Sequence, residues 1–230
     1  METIYTIPIN EVFEENQEAE VAACPLCLLR RRLEENELDL ILGASMMEPD
    51  TRIKTNKEGF CRRHYGKMMT MKNRLGLALM LESHLDEVKK GVSDGFLPFG
   101  KGKGAVAYME ALGDSCYVCG RIEGHFTRMC DNLAAMYEAD AAFRKKLSSQ
   151  PFFCLPHLKA MAEAGKRVLH GKQYQAFWEE AAGVSRRYLD TLREDVSWFC
   201  KKFDYRYENE PWYNAKDSIE RAAAFLEGAE

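Results

Sequence analysis

Cys24-Pro25-Leu26-Cys27 is a C-x-x-C, and Cys61-Arg62-Arg63-His64 is a C-x-x-H whose first cysteine lies 37 residues after Cys24. The order then returns. Cys116-Tyr117-Val118-Cys119 is followed, 38 residues after Cys116, by Cys154-Leu155-Pro156-His157. Phe60 and Phe153 each precede the cysteine of a C-x-x-H. Two sets in the same order and nearly the same spacing point to an internal duplication. Three cysteines and one histidine make up a closed tetrahedral zinc shell, whereas open catalytic zinc sites usually keep three protein ligands and a water. The residues therefore predict two Zn2+ per chain in structural sites, held by Cys24, Cys27, Cys61, His64, Cys116, Cys119, Cys154 and His157, with iron as the alternative ion. Pairing within each repeat is the expected arrangement, and pairing across repeats is the alternative.

The rest of the chain reads as helix. Apolar residues recur at spacings of three and four in Met71, Leu75, Ala78, Leu81, Leu85 and Val88, in Phe126, Cys130, Leu133 and Tyr137, and in Tyr174, Phe177, Ala181, Val184, Tyr188 and Leu192. This predicts long helices over 25–43, 60–91, 121–146, 155–169 and 172–202, and shorter ones over 9–20, 105–112 and 217–227. Thr3 to Ile7 is the one short alternating run. Asp217 and Glu220 have the form of a capping pair. Proline suits the first turn of a helix, so Pro156 places Cys154 at an N-cap and His157 in the first turn. By analogy, Cys61 and His64 begin a helix. A Zn2+ with three thiolates carries net −1, a charge that helix N-termini favour.

The expected fold is all-α, with duplicated helical halves each pinned by a Cys3His site. Its segments are an N-terminal repeat over 1–94, a Gly-rich linker over 95–104, a second repeat over 105–202, and an aromatic tail with a short helix over 203–230. Lys101-Gly102-Lys103-Gly104 has the wrong spacing for a phosphate loop. Cys130 and Cys200 read as core residues, and His84 as a packed helical histidine. Arg30-Arg31-Arg32 with Glu34, Glu35 and Glu37 reads as a solvated, salt-bridged face. Trp198, Phe199, Phe203, Tyr205, Tyr207, Trp212 and Tyr213 read as anchors of a segment laid over the helical body, or else as the wall of a partner site.

The 230 residues are 46% hydrophobic and carry a formal charge of −4, which excludes a disordered chain and argues against a general nucleic-acid binder. Six thiolates and two Zn2+ would make the charge two units more negative. The N-terminus has no basic region followed by an apolar stretch, and the greasy run from Leu75 to Leu81 is too short for a bilayer. A cytoplasmic location without membrane insertion is expected, where eight cysteines suit metal better than disulfides.

Further residues carry a resemblance. Tyr5-Thr6-Ile7-Pro8, Cys24-Pro25-Leu26-Cys27, Met47-Glu48-Pro49-Asp50, Thr55-Asn56, Gly59-Phe60-Cys61-Arg62-Arg63-His64, Phe203-Asp204-Tyr205-Arg206 and Pro211-Trp212 together resemble an uncharacterised bacterial family. Its members occur mainly in anaerobic Gram-positive bacteria. The resemblance spans nearly the whole chain and implies one coherent fold without implying an activity. The functional expectation is a zinc-binding, non-enzymatic binding or regulatory protein with a protein or small-molecule partner. A thiol-redox or metal-handling protein using the C-x-x-C motifs is the alternative, and a metal-dependent hydrolase ranks third.

Overall fold

The computed structural model describes residues 2–94 and 103–229. Among these residues there is no strand, and the α-helices run α1 Thr3–Glu18, α2 Pro25–Leu42, α3 Pro49–Glu58, α4 Arg62–Thr70, α5 Arg74–Asp94 and α6 Lys103–Gly113. They continue with α7 Tyr117–Ala139, α8 Ala141–Ser148, α9 Leu155–Val168, α10 Gly171–Lys201 and α11 Ser218–Glu227. The all-α expectation holds. No helix among the described residues is long and apolar enough to cross a membrane.

Several boundaries differ from expectation for local reasons. The alternating run Thr3–Ile7 lies inside α1. The helix expected over 60–91 is two helices, because the Asn73 Oδ1 accepts from the Gly76 N–H at 2.8 Å and so caps a new start. The one expected over 121–146 is also two, since the Asp140 carboxylate accepts from the Ala142 N–H at the head of α8. The polar helix α3, whose buried face is Thr51 and Thr55, has no apolar row to announce it. Asp217 sits at the N-cap of α11 without a side-chain cap, its carboxylate accepting from Arg221 instead. Most of the linker expected over 95–104 lies outside the described residues; Gly91 to Asp94 belong to α5, and Lys103 and Gly104 to α6.

The chain forms two compact units, and they are not the expected halves 1–94 and 105–202. Unit 1 is 1–31 with 126–230, and unit 2 is 32–125, so the divisions fall inside α2 and α7. In unit 1, α8, α9 and α11 pack on the long α10, and α1 packs on α8. Its core contains the fully buried rings of Phe13, Phe143, Phe153 and Phe177. The segment expected as a separate tail over 203–230 is part of this unit. Phe225 of α11 lies against Phe152 and Tyr188, at 6.0 and 5.8 Å between ring centres. In unit 2, α3, α4 and α6 pack on α5 around Leu38, Ile41, Phe60, Met68, Leu77, Met80, Val118 and Ile122.

Candidate metal centres

The eight motif residues collect into two groups, and each group joins the C-x-x-C of one expected repeat to the C-x-x-H of the other. Cys24, Cys27, Cys154 and His157 meet in unit 1; Cys61, His64, Cys116 and Cys119 meet in unit 2. The ligand atoms of each group lie within 4.8 Å of one another. The expected within-repeat pairing, Cys24 and Cys27 with Cys61 and His64, is therefore corrected. Closing a loop of 127 residues rather than 37 costs about 1 kcal/mol more in chain entropy, too little to resist the packing that brings each C-x-x-C to the other C-x-x-H.

Local chemistry places each donor. Cys154 is the N-cap of α9 with φ −64° and ψ 160°, and Cys61 is the N-cap of α4 with φ −72° and ψ 163°. Both histidines thus stand in a first turn, as Pro156 led one to expect. The C-x-x-C pairs sit at the starts of α2 and α7. Phe153 and Phe60 are buried and anchor the turns that precede the C-x-x-H cysteines.

In unit 1, buried amides tie the approach to Cys24 to the approach to Cys154. Asn16 Nδ2 donates to Ala23 O at 3.0 Å and to Gln150 Oε1 at 2.9 Å, while Gln150 Nε2 donates to Phe13 O at 2.9 Å. Ser185 of α10 clamps Phe153, its Oγ donating to the Phe153 carbonyl at 2.9 Å. In unit 2 the tie is backbone. The Tyr117 N–H donates to Gly59 O at 3.0 Å, and Ser115 Oγ donates to Glu58 O at 2.7 Å. Gly59 ends α3 with φ 58° and ψ −158°, where a Cβ would meet His84 Nε2 at 3.0 Å. Only glycine adopts that backbone without strain.

The spacings suit an ion. A tetrahedral Zn2+ with Zn–S near 2.3 Å and Zn–N near 2.0–2.1 Å sets S···S at about 3.8 Å and S···N at about 3.5 Å. Cys27 and Cys154 sulfurs are 3.7 Å apart, and those of Cys61 and Cys119 are 3.9 Å apart. His157 Nδ1 lies 3.6, 3.3 and 3.1 Å from Cys24, Cys27 and Cys154. His64 Nδ1 lies 3.2, 3.2 and 3.5 Å from Cys61, Cys116 and Cys119. Both imidazoles thus turn Nδ1 toward the sulfurs.

The surroundings differ. In unit 1, Cys24, Cys27 and Cys154 are 2%, 3% and 0% exposed. His157 packs on Phe126, with ring centres 5.0 Å apart, and the Arg30 guanidinium lies over the Phe126 ring, 5.3 Å from its centre. The Ala229 N–H donates to Cys27 Sγ at 3.4 Å. In unit 2, Cys61 and Cys116 are half-buried and Cys119 is exposed. His64 Nε2–H donates to Glu34 Oε1 at 3.0 Å. Glu34 also accepts two bonds from Arg63 Nη2 at 2.8 Å and one from Lys67 Nζ at 2.6 Å.

Titration follows these contacts. Burial opposes the Glu34 charge, but Lys67 and Arg63 outweigh it and hold the carboxyl below its ordinary range. Burial lowers the His64 pKa despite Glu34, which keeps the imidazole neutral and ready to ligate. Hydrogen bonds from Cys154 and Cys24 pull Cys27 far down against its burial. Against partial burial, the His64 backbone N–H and the Cys116 and Cys119 thiols hold Cys61 below its usual value. Desolvation, then Cys116 and Cys61, push Cys119 up to about 12.

The expectation of a solvated face at 30–37 is corrected: Glu34 and Glu37 are 3% and 7% exposed. Glu34 is the functional residue that motif reading passes over, although it shares a helical row with Leu38 and Ile41. Cys130 is buried, as expected, whereas Cys200 is exposed and not a core residue. His84 is buried, with Nδ1 against Asn56 O at 2.9 Å.

No curated protein and no solved structure matches the chain. A family profile does, over residues 1–230: the chain belongs to a family of unknown function, DUF6062.

Proposed function

We propose that this DUF6062 member is a zinc protein whose two Cys3His sites are structural, and that it acts by binding a protein or small-molecule partner rather than by catalysis. The observation that carries this reading is that each group offers four protein donors at the edge lengths of a closed tetrahedral ion. Cys24, Cys27, Cys154 and His157 would hold one ion; Cys61, His64, Cys116 and Cys119 would hold the other. Each ion would join segments distant in sequence, so metal affinity becomes folding free energy. Zinc thiolates persist where thiols stay reduced, which goes with a cytoplasmic location.

A binding role draws support from the end of α10. Trp198 lies against Tyr207 and Tyr213, and Phe199 against Phe203 and Trp212. Lys202 Nζ donates to the Tyr207, Glu208 and Glu210 carbonyls and folds the segment back. Phe203, Tyr205 and Tyr213 remain exposed, the last beside a cavity of about 320 Å³ lined also by Arg193, Trp198 and Lys201.

Elemental analysis of the purified chain, with circular dichroism before and after chelation, tests the reading. Two zinc ions per chain and a large loss of helicity on their removal are expected, since structural zinc is worth about 10–16 kcal/mol in small sites. Unchanged helicity and melting in a fully metal-free sample would overturn it.

A further inference from the structure

The two donor sets are alike, but their access to solvent is not. In unit 1 the three sulfurs are buried, with the Ala229 N–H on Cys27 and Phe126 on His157. In unit 2, Cys119 is exposed and its sulfur lies 3.9 Å from that of Cys61. Cys119 stands in the first turn of α7 and Cys61 caps α4, so the two sulfurs meet where two helix starts come together. Oxidation of a cysteine follows thiolate character and exposure together. Zinc would supply the first at all six sulfurs; the fold supplies the second at Cys119.

We propose that Cys119 is an oxidation site for small peroxides, and that its modification releases the unit 2 ion while the unit 1 ion stays bound. This rests on the zinc reading of both sites. The zinc-bound Cys119 thiolate attacks one oxygen of the peroxide, the O–O bond breaks, and Cys119 becomes a sulfenic acid with hydroxide as leaving group. The Cys61 sulfur then attacks the Cys119 sulfur and expels a second hydroxide, forming a Cys61–Cys119 disulfide. The two sulfurs have lost two electrons, hydrogen peroxide has gained them, and two protons from solvent turn both hydroxides into water. Only His64 and Cys116 would then remain to hold the ion, too few donors to retain it. A thiol reductant reverses the disulfide, and zinc then rebinds.

The test uses the full chain carrying Cys200→Ser, which removes an exposed thiol outside both groups. Zinc is counted first; a chain that holds none fails the zinc reading itself, before any oxidant is added. With two ions present, hydrogen peroxide is added, released zinc is followed with a chromophoric chelator, and cysteines are mapped by alkylation and mass spectrometry. The expected result is one zinc released at least about tenfold faster than the other, a disulfide containing Cys119, and Cys24, Cys27 and Cys154 labelled only after denaturation. In a parallel sample without oxidant, an alkylating reagent labels Cys119 first among the six motif thiols. Simultaneous loss of both ions, earlier oxidation of the unit 1 cysteines, or zinc loss from unit 2 with Cys119 unmodified would each overturn the proposal.

Discussion

Unit 1 and unit 2 build the same tetrad and dress it differently. Each has an N-cap cysteine, a first-turn histidine with Nδ1 inward, a buried phenylalanine before the cysteine, and a C-x-x-C at another helix start. Around His157 the neighbour is the Phe126 ring; around His64 it is Glu34, itself held by Arg63 and Lys67. One shell excludes water, and the other orients a ligand by charge. The donor set alone therefore does not define what a site does. The groups behind it would decide how tightly an ion is held and what can reach it.

The comparison can be broken most forcefully at the sulfurs. Cys154→Ala should abolish the unit 1 site and unfold that unit at room temperature, with zinc falling to one ion per chain. Cys119→Ala should leave the unit 1 ion in place and most of the helicity intact. Zinc counts and circular dichroism on the two variants give the answer, and equal losses would remove the distinction between the sites. A smaller effect is expected at Glu34. Glu34→Gln keeps the shape of the side chain but not its charge, and should weaken zinc in unit 2 by about 10–100-fold, the usual consequence of losing a carboxylate behind a ligating histidine. Competition titration against a chelator measures it; a drop confined to unit 1 would contradict the geometry.

The smallest expected effect belongs to unit 1 alone. Burial, and then the Glu180 carboxylate that accepts from its hydroxyl at 2.6 Å, push the Tyr137 pKa up to about 12. An unfolded tyrosine ionises near 10. The folded state thus keeps a proton that the unfolded state gives up, and this contribution is complete below about pH 10 and lost as pH rises toward 12. Tyr137→Phe should cost about 1 kcal/mol at neutral pH through the lost hydrogen bond, with the deficit shrinking across that alkaline window. Thermal melts at pH 7 and pH 11 check this, and a deficit that grows with pH would refute the assignment.

Much of this was legible in the residues, because local rules operated there. Pro156 placed Cys154 and His157 through the geometry of a helix start, and that geometry is the same in both units. Helical periodicity located α2, α9 and α10 to within two residues. The breaks at Asn73 and Asp140 also had local causes, in side chains that cap a new helix, but uninterrupted apolar spacing masked them. Ligand pairing had no local cause. It depends on which helix starts pack together, through contacts such as Asn16 with Gln150 in unit 1 and Tyr117 with Gly59 in unit 2. Glu34 was hidden for a related reason: its charges balance against Arg63 and Lys67, 29 and 33 residues away, not against the adjacent run of arginines.

The crossing of the motifs also has a consequence in time. Unit 2 is a continuous segment set inside the sequence of unit 1. As the chain leaves the ribosome, the unit 2 donors are complete once residue 119 has emerged, whereas Cys24 and Cys27 must wait for Cys154 and His157. During that interval the earliest ligands to meet them are Cys61 and His64, the partners they do not keep. An ion captured there would link the wrong helix starts, so correct assembly requires Cys116 and Cys119 to claim His64 first, or the ion to exchange before α9 arrives. The exposed sulfur edge of unit 2 is where such an exchange can take place. If the sites hold zinc, the exposure of Cys119 would leave an early mistake correctable.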